Sequence, residues 1–266
     1  MAAEARYFDP SHGRSRRNSI ELLAALTSRD LRLRYQGSVF GWLWTLARPL
    51  ALGAVLSFAL GTVLAAGIAD YPVFLLCGLF PWFWFQGGVQ TASTSFVGNG
   101  GLLKKVVFPR AVLPLSEVLA HTLQFLLAMP VLFVFLLAYG YRPEPAWLIG
   151  IPLLFAVQLL LIAGIGLFVA SVTVVLRDIE HITEVLLGLL FYATPILYNV
   201  DRIPEGYRWI VWVNPLASIA EGWRRVLLAG DLPDERFLVA GGLSLVAFAL
   251  GWTVFRALEH RFADLV

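Results

Sequence analysis

Residues 146–176 read AWLIGIPLLFAVQLLLIAGIGLFVASVTVVL, 31 consecutive positions without Asp, Glu, Lys or Arg. A helix needs about 20 residues to cross the hydrocarbon of a bilayer. A soluble fold of this size could not hide such a run, so the bilayer is the solvent that fits. Five more runs lacking the same residue types flank it: 49–69, 71–103, 118–141, 185–200 and 237–255. They hold 21, 33, 24, 16 and 19 residues. Six runs predict an all-α integral membrane protein with six transmembrane helices. The 16-residue run is short and borrows from Ile182 and Thr183. The runs of 31 and 33 residues are too short for two crossings, so each is expected to be one tilted span plus an interfacial or re-entrant part.

The rest of the chain agrees. Of its 266 residues, 59% are hydrophobic and 14% charged, against about 25% charged in an ordinary soluble domain. The first 48 residues show no apolar core followed by a small-residue cleavage site, so insertion is expected to use the first internal span. The single cysteine, Cys77, lies inside an apolar run and has no second thiol to pair with. Eight of the 20 basic residues fall in the first 48 positions. With six spans and both termini inside, 14 basic residues lie inside and six outside. The excess predicts cytoplasmic termini. Two regions result, a cytoplasmic arm over 1–48 and a transmembrane domain over 49–266.

Within the arm, Asn18 with Glu21 three residues on resembles a capping box. Ile20, Leu23, Thr27 and Leu31 recur at helical spacing, with Arg29, Arg32 and Arg34 pointing elsewhere. This predicts a basic amphipathic helix over 18–34, lying in the membrane interface. Such a helix either transmits motion to the bundle or only anchors it. Trp42 and Trp44 follow at headgroup depth. In the first span, Gly53, Ser57, Gly61 and Ala65 recur every fourth position. Small residues on one face allow close approach, at a subunit interface or inside one bundle.

Three loops carry further signals. The stretch 99–110, with two glycines, Lys104, Lys105, Arg110 and Pro109, predicts a short amphipathic helix over Gly101–Phe108. It is either a grip for a soluble partner or a plain positive-inside loop. The outside stretch 199–236 holds Tyr207, Trp209, Trp212 and Trp223, punctuated by Pro204, Asn214-Pro215 and Gly230. Short helices over 205–213 and 216–229 are expected there, dipping into the outer leaflet between spans five and six as an exit structure or an anchor.

Chemistry is scarce. No Gly-x-x-x-x-Gly-Lys-Ser/Thr loop exists, because neither lysine follows a glycine. His12, His121, His181 and His260 do not show metal spacing. Glu117 and His121 share a helix face, and such pairs relay protons in some carriers. No catalytic residue, cofactor, metal or nucleic-acid partner is expected.

The run Leu31–Leu50, LRLRYQGSVFGWLWTLARPL, resembles the opening segment of type-2 ABC transporter permeases. The group that exports O antigen, capsule and teichoic acid chains is the most similar. Asn99 to Leu115 resembles that group's cytoplasmic segment between spans two and three, through Lys104, Phe108, Pro109, Arg110 and Pro114. Leu176-Arg177-Asp178-Ile179 resembles its segment after span four. Asn214-Pro215 with Arg224, Arg225 and Gly230 is similar to its pattern before span six, and FRALEHRFAD (255–264) to its C-terminal signature.

The resemblance implies a permease subunit of the bacterial inner membrane that pairs with a second copy of itself around a channel. Two separate ATP-binding subunits would dock from the cytoplasm and hydrolyse ATP. The cargo would be a polysaccharide on a polyprenyl diphosphate lipid. Aromatic residues lining the channel would stack on sugar rings, with Phe58, Phe83, Trp84, Tyr192 and Tyr198 as candidates. Lys104, Lys105, Arg110, Arg177 and Asp178 are the candidates for coupling to the ATPase. The alternatives are a type-2 permease for a drug or small lipid, and a proton-coupled carrier using Glu117 and His121.

Overall fold

A computed structural model of the protein describes residues 14–38, 40–64, 67–101 and 108–262. Every regular element among them is helical. The helix α1 runs Arg14–Tyr35. Next come α2, Gly41–Val63, α3, Tyr71–Gly98, α4, Val112–Ala138, and α5, Pro145–Val175. The shorter α6 (Ile179–Ala193), α7 (Trp209–Val213) and α8 (Pro215–Arg224) precede α9, Glu235–Leu258.

Five helices are long and apolar enough to cross a membrane: α2, α3, α4, α5 and α9, the last with its C-terminal turn to Arg261. The sixth expected span, 185–200, is not one of them. In its place α6 starts earlier, at Ile179, and stops at Ala193, ahead of the turn through Thr194 and Pro195. A proline disfavours helical geometry in the residue before it, which fixes this end. At 15 residues α6 is about 22 Å long. The two longest runs each hold one continuous helix among the described residues. The 28 residues of α3 and 31 of α5 span about 42 and 46 Å.

The core is built around α3, which packs against α2, α4, α5, α6 and α8 and is buried over most of its length. Its first half, Tyr71–Phe85, is apolar all round, as a helix segment enclosed on every side must be. Tight approaches decide where small residues sit. A Cβ on Gly251 of α9 would lie 2.0 Å from the Gly164 carbonyl oxygen of α5, so these backbones touch. The stripe in α2 packs inside the bundle: Gly53 faces Leu76, and Gly61 faces the Tyr71 ring. Ala65 lies outside the described residues.

Most polar groups in this interior are paired, since burial away from water penalises those that are not; Ser57, Ser95 and Trp147 are among those with a buried atom left without a hydrogen bond. Ser171, Thr173 and Ser244 donate to the carbonyl four residues back in their own helices. Gln158 of α5 donates to the Pro81 carbonyl at 2.7 Å and accepts from the Trp223 indole at 2.9 Å, joining three helices. Arg224, 3% exposed, donates to the carbonyls of Phe74, Pro195 and Ile196 at 3.3, 2.5 and 2.6 Å. Its guanidinium lies 3.6 Å from the Phe74 ring centroid, and the Glu221 carboxylate is 3.9 Å away. This arginine staples α8 to α3 and to the turn that ends α6.

The expected short helices after α6 are present as α7 and α8, with α8 continuing through a wider turn to Ala229. The Asn214-Pro215 turn signal is a helix start. Asn214 accepts from the Leu216 amide at 3.1 Å, and Pro215 takes the first helical position.

Candidate functional site

Helix α1 packs along α4. Leu26 and Thr27 are buried on its inner face, with Leu22 and Leu23 partly so, whereas Ile20 is exposed. Two expectations are corrected here. Asn18 lies inside the helix, which begins at Arg14, so it is not the N-cap. Arg29 and Arg34 point into the bundle rather than away from it. Arg29 pairs with Asp30 at 2.8 Å and donates to Asn99 at the end of α3 at 2.9 Å. Ser116 of α4 donates to Asp30 at 3.2 Å. Arg34 reaches His121 at 2.8 Å, Gln124 at 3.2 Å and the Glu117 carboxylate at 3.6 Å. A guanidinium only donates, so His121 Nε2 is the acceptor. Helix ends and buried side chains supply these acceptors, and α1 turns its cations toward them. Glu117 and His121 thus anchor α1.

Beside this anchor, α1, α2, α3 and α4 frame a cleft of about 570 Å³, with Glu184 of α6 at its edge. Arg34 and Arg48, the amides of Gln86, Gln90 and Gln124, and the rings of Trp44 and Phe83 line it. Arg48 stands over the Phe83 ring, 4.9 Å from its centroid. His121 shapes the wall, since a Cβ on Gly87 would meet its ring at 2.4 Å. Gln86 and Gln90 carry no charge and so do not interrupt the run 71–103. The available signal was their spacing of four, which puts two amides on one face of an otherwise apolar span.

The channel candidates occupy different settings. Phe83 lines the cleft. Phe58 on α2 and Tyr192 on α6 are 65% and 68% exposed. The Tyr198 hydroxyl donates to the Tyr192 carbonyl at 3.1 Å. Trp84 faces no open surface. It is 2% exposed and stacks on Phe125 and Phe155, with ring centroids 4.4 and 4.9 Å away. Its indole donates to Thr122 at 3.0 Å.

Of the coupling candidates, Lys104 and Lys105 lie outside the described residues, as does most of the expected helix over 101–108. Arg110 donates to the Glu259 carbonyl and so joins that loop to the C-terminal turn. There Phe255 and Phe262 pack on Phe96 at the end of α3, which gives the FRALEHRF portion of the signature an anchoring role. Arg177 and Asp178 are exposed at the start of α6.

The described helices form a bundle with five members long and apolar enough to cross a membrane, and α1 packs on α4. The profile of the ABC-2 type transporter family matches residues 21–228, and the chain belongs to that family. It is a multi-pass membrane protein and a transport subunit, not an enzyme; ATP hydrolysis belongs to a separate ATP-binding partner. The chain is 39% identical over 246 residues to the O-antigen export system permease protein RfbA of Klebsiella pneumoniae, covering 92% of this chain and 95% of that one. An RfbA of the same description from Myxococcus xanthus is 32% identical, with the same coverage. The polysialic acid transport protein KpsM of Escherichia coli is 26% identical over 89% of this chain and 93% of its own.

Proposed function

We propose that this chain is the inner-membrane permease of an ATP-driven exporter that moves polysaccharide on a polyprenyl diphosphate lipid. The observation that carries this is the 39% identity to the Klebsiella O-antigen permease along nearly the whole of both chains. The likeness to a polysialic acid transporter supports a cargo class broader than one sugar. Two copies form the channel, and two ATP-binding subunits dock on the cytoplasmic side. Residues 1–48 form the cytoplasmic arm and 49–266 the transmembrane domain. The fifth of six crossings is α6 together with the turn that follows it, while α7 and α8 dip into the outer leaflet.

Sugar rings present apolar C–H faces, which aromatic rings bind without demanding one hydroxyl pattern. Phe58, Phe83, Tyr192 and Tyr198 serve this role; exposure supports Phe58 and Tyr192, and cleft lining supports Phe83. Trp84, enclosed against the Phe125 and Phe155 rings, is a packing residue. Lys104, Lys105, Arg110, Arg177 and Asp178 contact the ATPase.

The test is complementation of a strain lacking its own permease gene. Wild-type protein with its ATPase restores surface polysaccharide; restored drug or small-lipid efflux with no polysaccharide refutes the cargo. In the same assay, Lys104→Glu with Lys105→Glu lowers export and recovery of the ATPase with tagged permease. Normal recovery and export reduce that loop to a topology signal.

Orientation has its own check. Gly206 is exposed, with open space where a Cβ would stand. Gly206→Cys, in a Cys77→Ala background, reacts with an impermeant thiol reagent in intact spheroplasts. Labelling only after lysis reverses the orientation.

A further inference from the structure

The end of the bundle at which α3, α5 and α9 finish has a small apolar core of its own, separate from the main one. It gathers Phe96 of α3, Val112 of α4, Val174 of α5 and Phe255 of α9. Phe262, beyond the end of α9, completes it. This residue is fully buried, its ring centroid 4.5 Å from that of Phe96 and 5.7 Å from that of Phe255. The turn that carries it is not needed to cross the bilayer. The 24 residues of α9 already span about 36 Å, against roughly 30 Å of hydrocarbon. A segment at the end of a chain frays unless something ties it down. Here there are two ties, the aromatic contacts of Phe262 and the Arg110 guanidinium, which donates to the Glu259 carbonyl.

Both ends of the connection between α3 and α4 root in this core. Phe96 lies in the last turn of α3, and Phe108 and Ala111 pack on the same residues just ahead of α4. Lys104 and Lys105 lie between those ends in the sequence. The other candidate contact, Arg177-Asp178, begins three positions after Val174. Two segments proposed to meet the ATPase thus start from one small core, and the C-terminal turn closes it. Close-packed side chains pass a displacement on to their neighbours. We infer that residues 259–262 form a brace that positions both segments for coupling to the ATPase, with Phe262 and Arg110 as positioning residues. This rests on the export function proposed above, in which those segments meet the ATPase. It gives Arg110 a role exerted through the Glu259 carbonyl.

The experiment compares surface polysaccharide in the complementation strain with ATP hydrolysis by the permease–ATPase complex purified from the same cells. Thermal unfolding of each permease is measured alongside. Phe262→Ala lowers the polysaccharide exported per ATP hydrolysed about fivefold or more, the low end of an energetic coupling between sites. The ATPase still co-purifies with the tagged variant. Phe262→Leu keeps an apolar side chain in the core and recovers part of the ratio; it carries the test if the alanine variant fails to accumulate. Arg110→Gln lowers the same ratio and adds little to Phe262→Ala, because both act through one turn. Leu245→Ala, on the exposed face of α9, behaves as wild type. A turn that only holds the fold together gives another result: less folded permease, a lower unfolding temperature, and wild-type export per ATP from the complexes that remain. That result, or a wild-type ratio in every Phe262 and Arg110 variant that accumulates, overturns the inference. If wild type restores polysaccharide and the variants keep its ratio, the brace alone fails. If wild type restores none, the transport reading fails and the brace falls with it.

Discussion

Arg224→Met is expected to lower the recovery of folded protein severely. Methionine keeps much of the volume but removes every donor. The carbonyls of Phe74, Pro195 and Ile196 then lose the partner that joins them, and Glu221 loses its nearest cation. Removing one partner from a buried charged network costs about 3–5 kcal/mol. Lysine keeps the charge but lacks the planar fork that reaches three carbonyls together, so Arg224→Lys is expected to recover only part of the loss. The measurement is thermal unfolding of the detergent-purified protein, with recovery from membranes at equal expression. Wild-type unfolding by Arg224→Met would show that the staple contributes nothing to stability.

The second large effect is steric. Gly251→Ala sets a methyl group 2.0 Å from the Gly164 carbonyl oxygen, and backbone cannot swing aside as a flexible side chain does. Helices α5 and α9 must separate along their shared seam, at a cost of about 1–3 kcal/mol. Gly242 provides the comparison on the same helix, because nothing lies within 4 Å of a Cβ there. Gly242→Ala is expected to match wild type or gain slightly through helix propensity. If both alanine variants unfold with wild type, the backbones do not touch as described.

Much of the bundle was legible in the distribution of charge. A run without Asp, Glu, Lys or Arg marks helix interiors well when polar loops bound it, as they do for α4, α5 and α9. The rule failed at α6 because that helix carries Glu180 and Glu184 in its first turns and ends at a proline turn inside the uncharged run. The site was less legible. Counting basic residues assigns a side of the membrane to each arginine but does not reveal burial. Arg224 was thus scored as an outside charge, although it sits in the core. Arg29 and Arg34 were assigned to the polar face of α1 for the same reason, since their acceptors, Asn99, Gln124 and His121, come from elements far along the chain.

The staple also sets a timetable for biosynthesis. Phe74 and Arg224 are 150 positions apart, and Gln158 and Trp223 are 65 apart. At about 5–20 residues per second, roughly 8–30 s of translation separate the first pair. During that interval α3 is in the bilayer without α8, the Phe74 carbonyl lacks its guanidinium, and the seam against α9 is open to lipid. A nascent chain that stalls before residue 215 can pack α2, α4, α5 and α6 against α3 but leaves the face that α8 covers open. Chain completion, rather than insertion of the first spans, is therefore the step at which a membrane quality-control protease would discriminate finished permease from fragments.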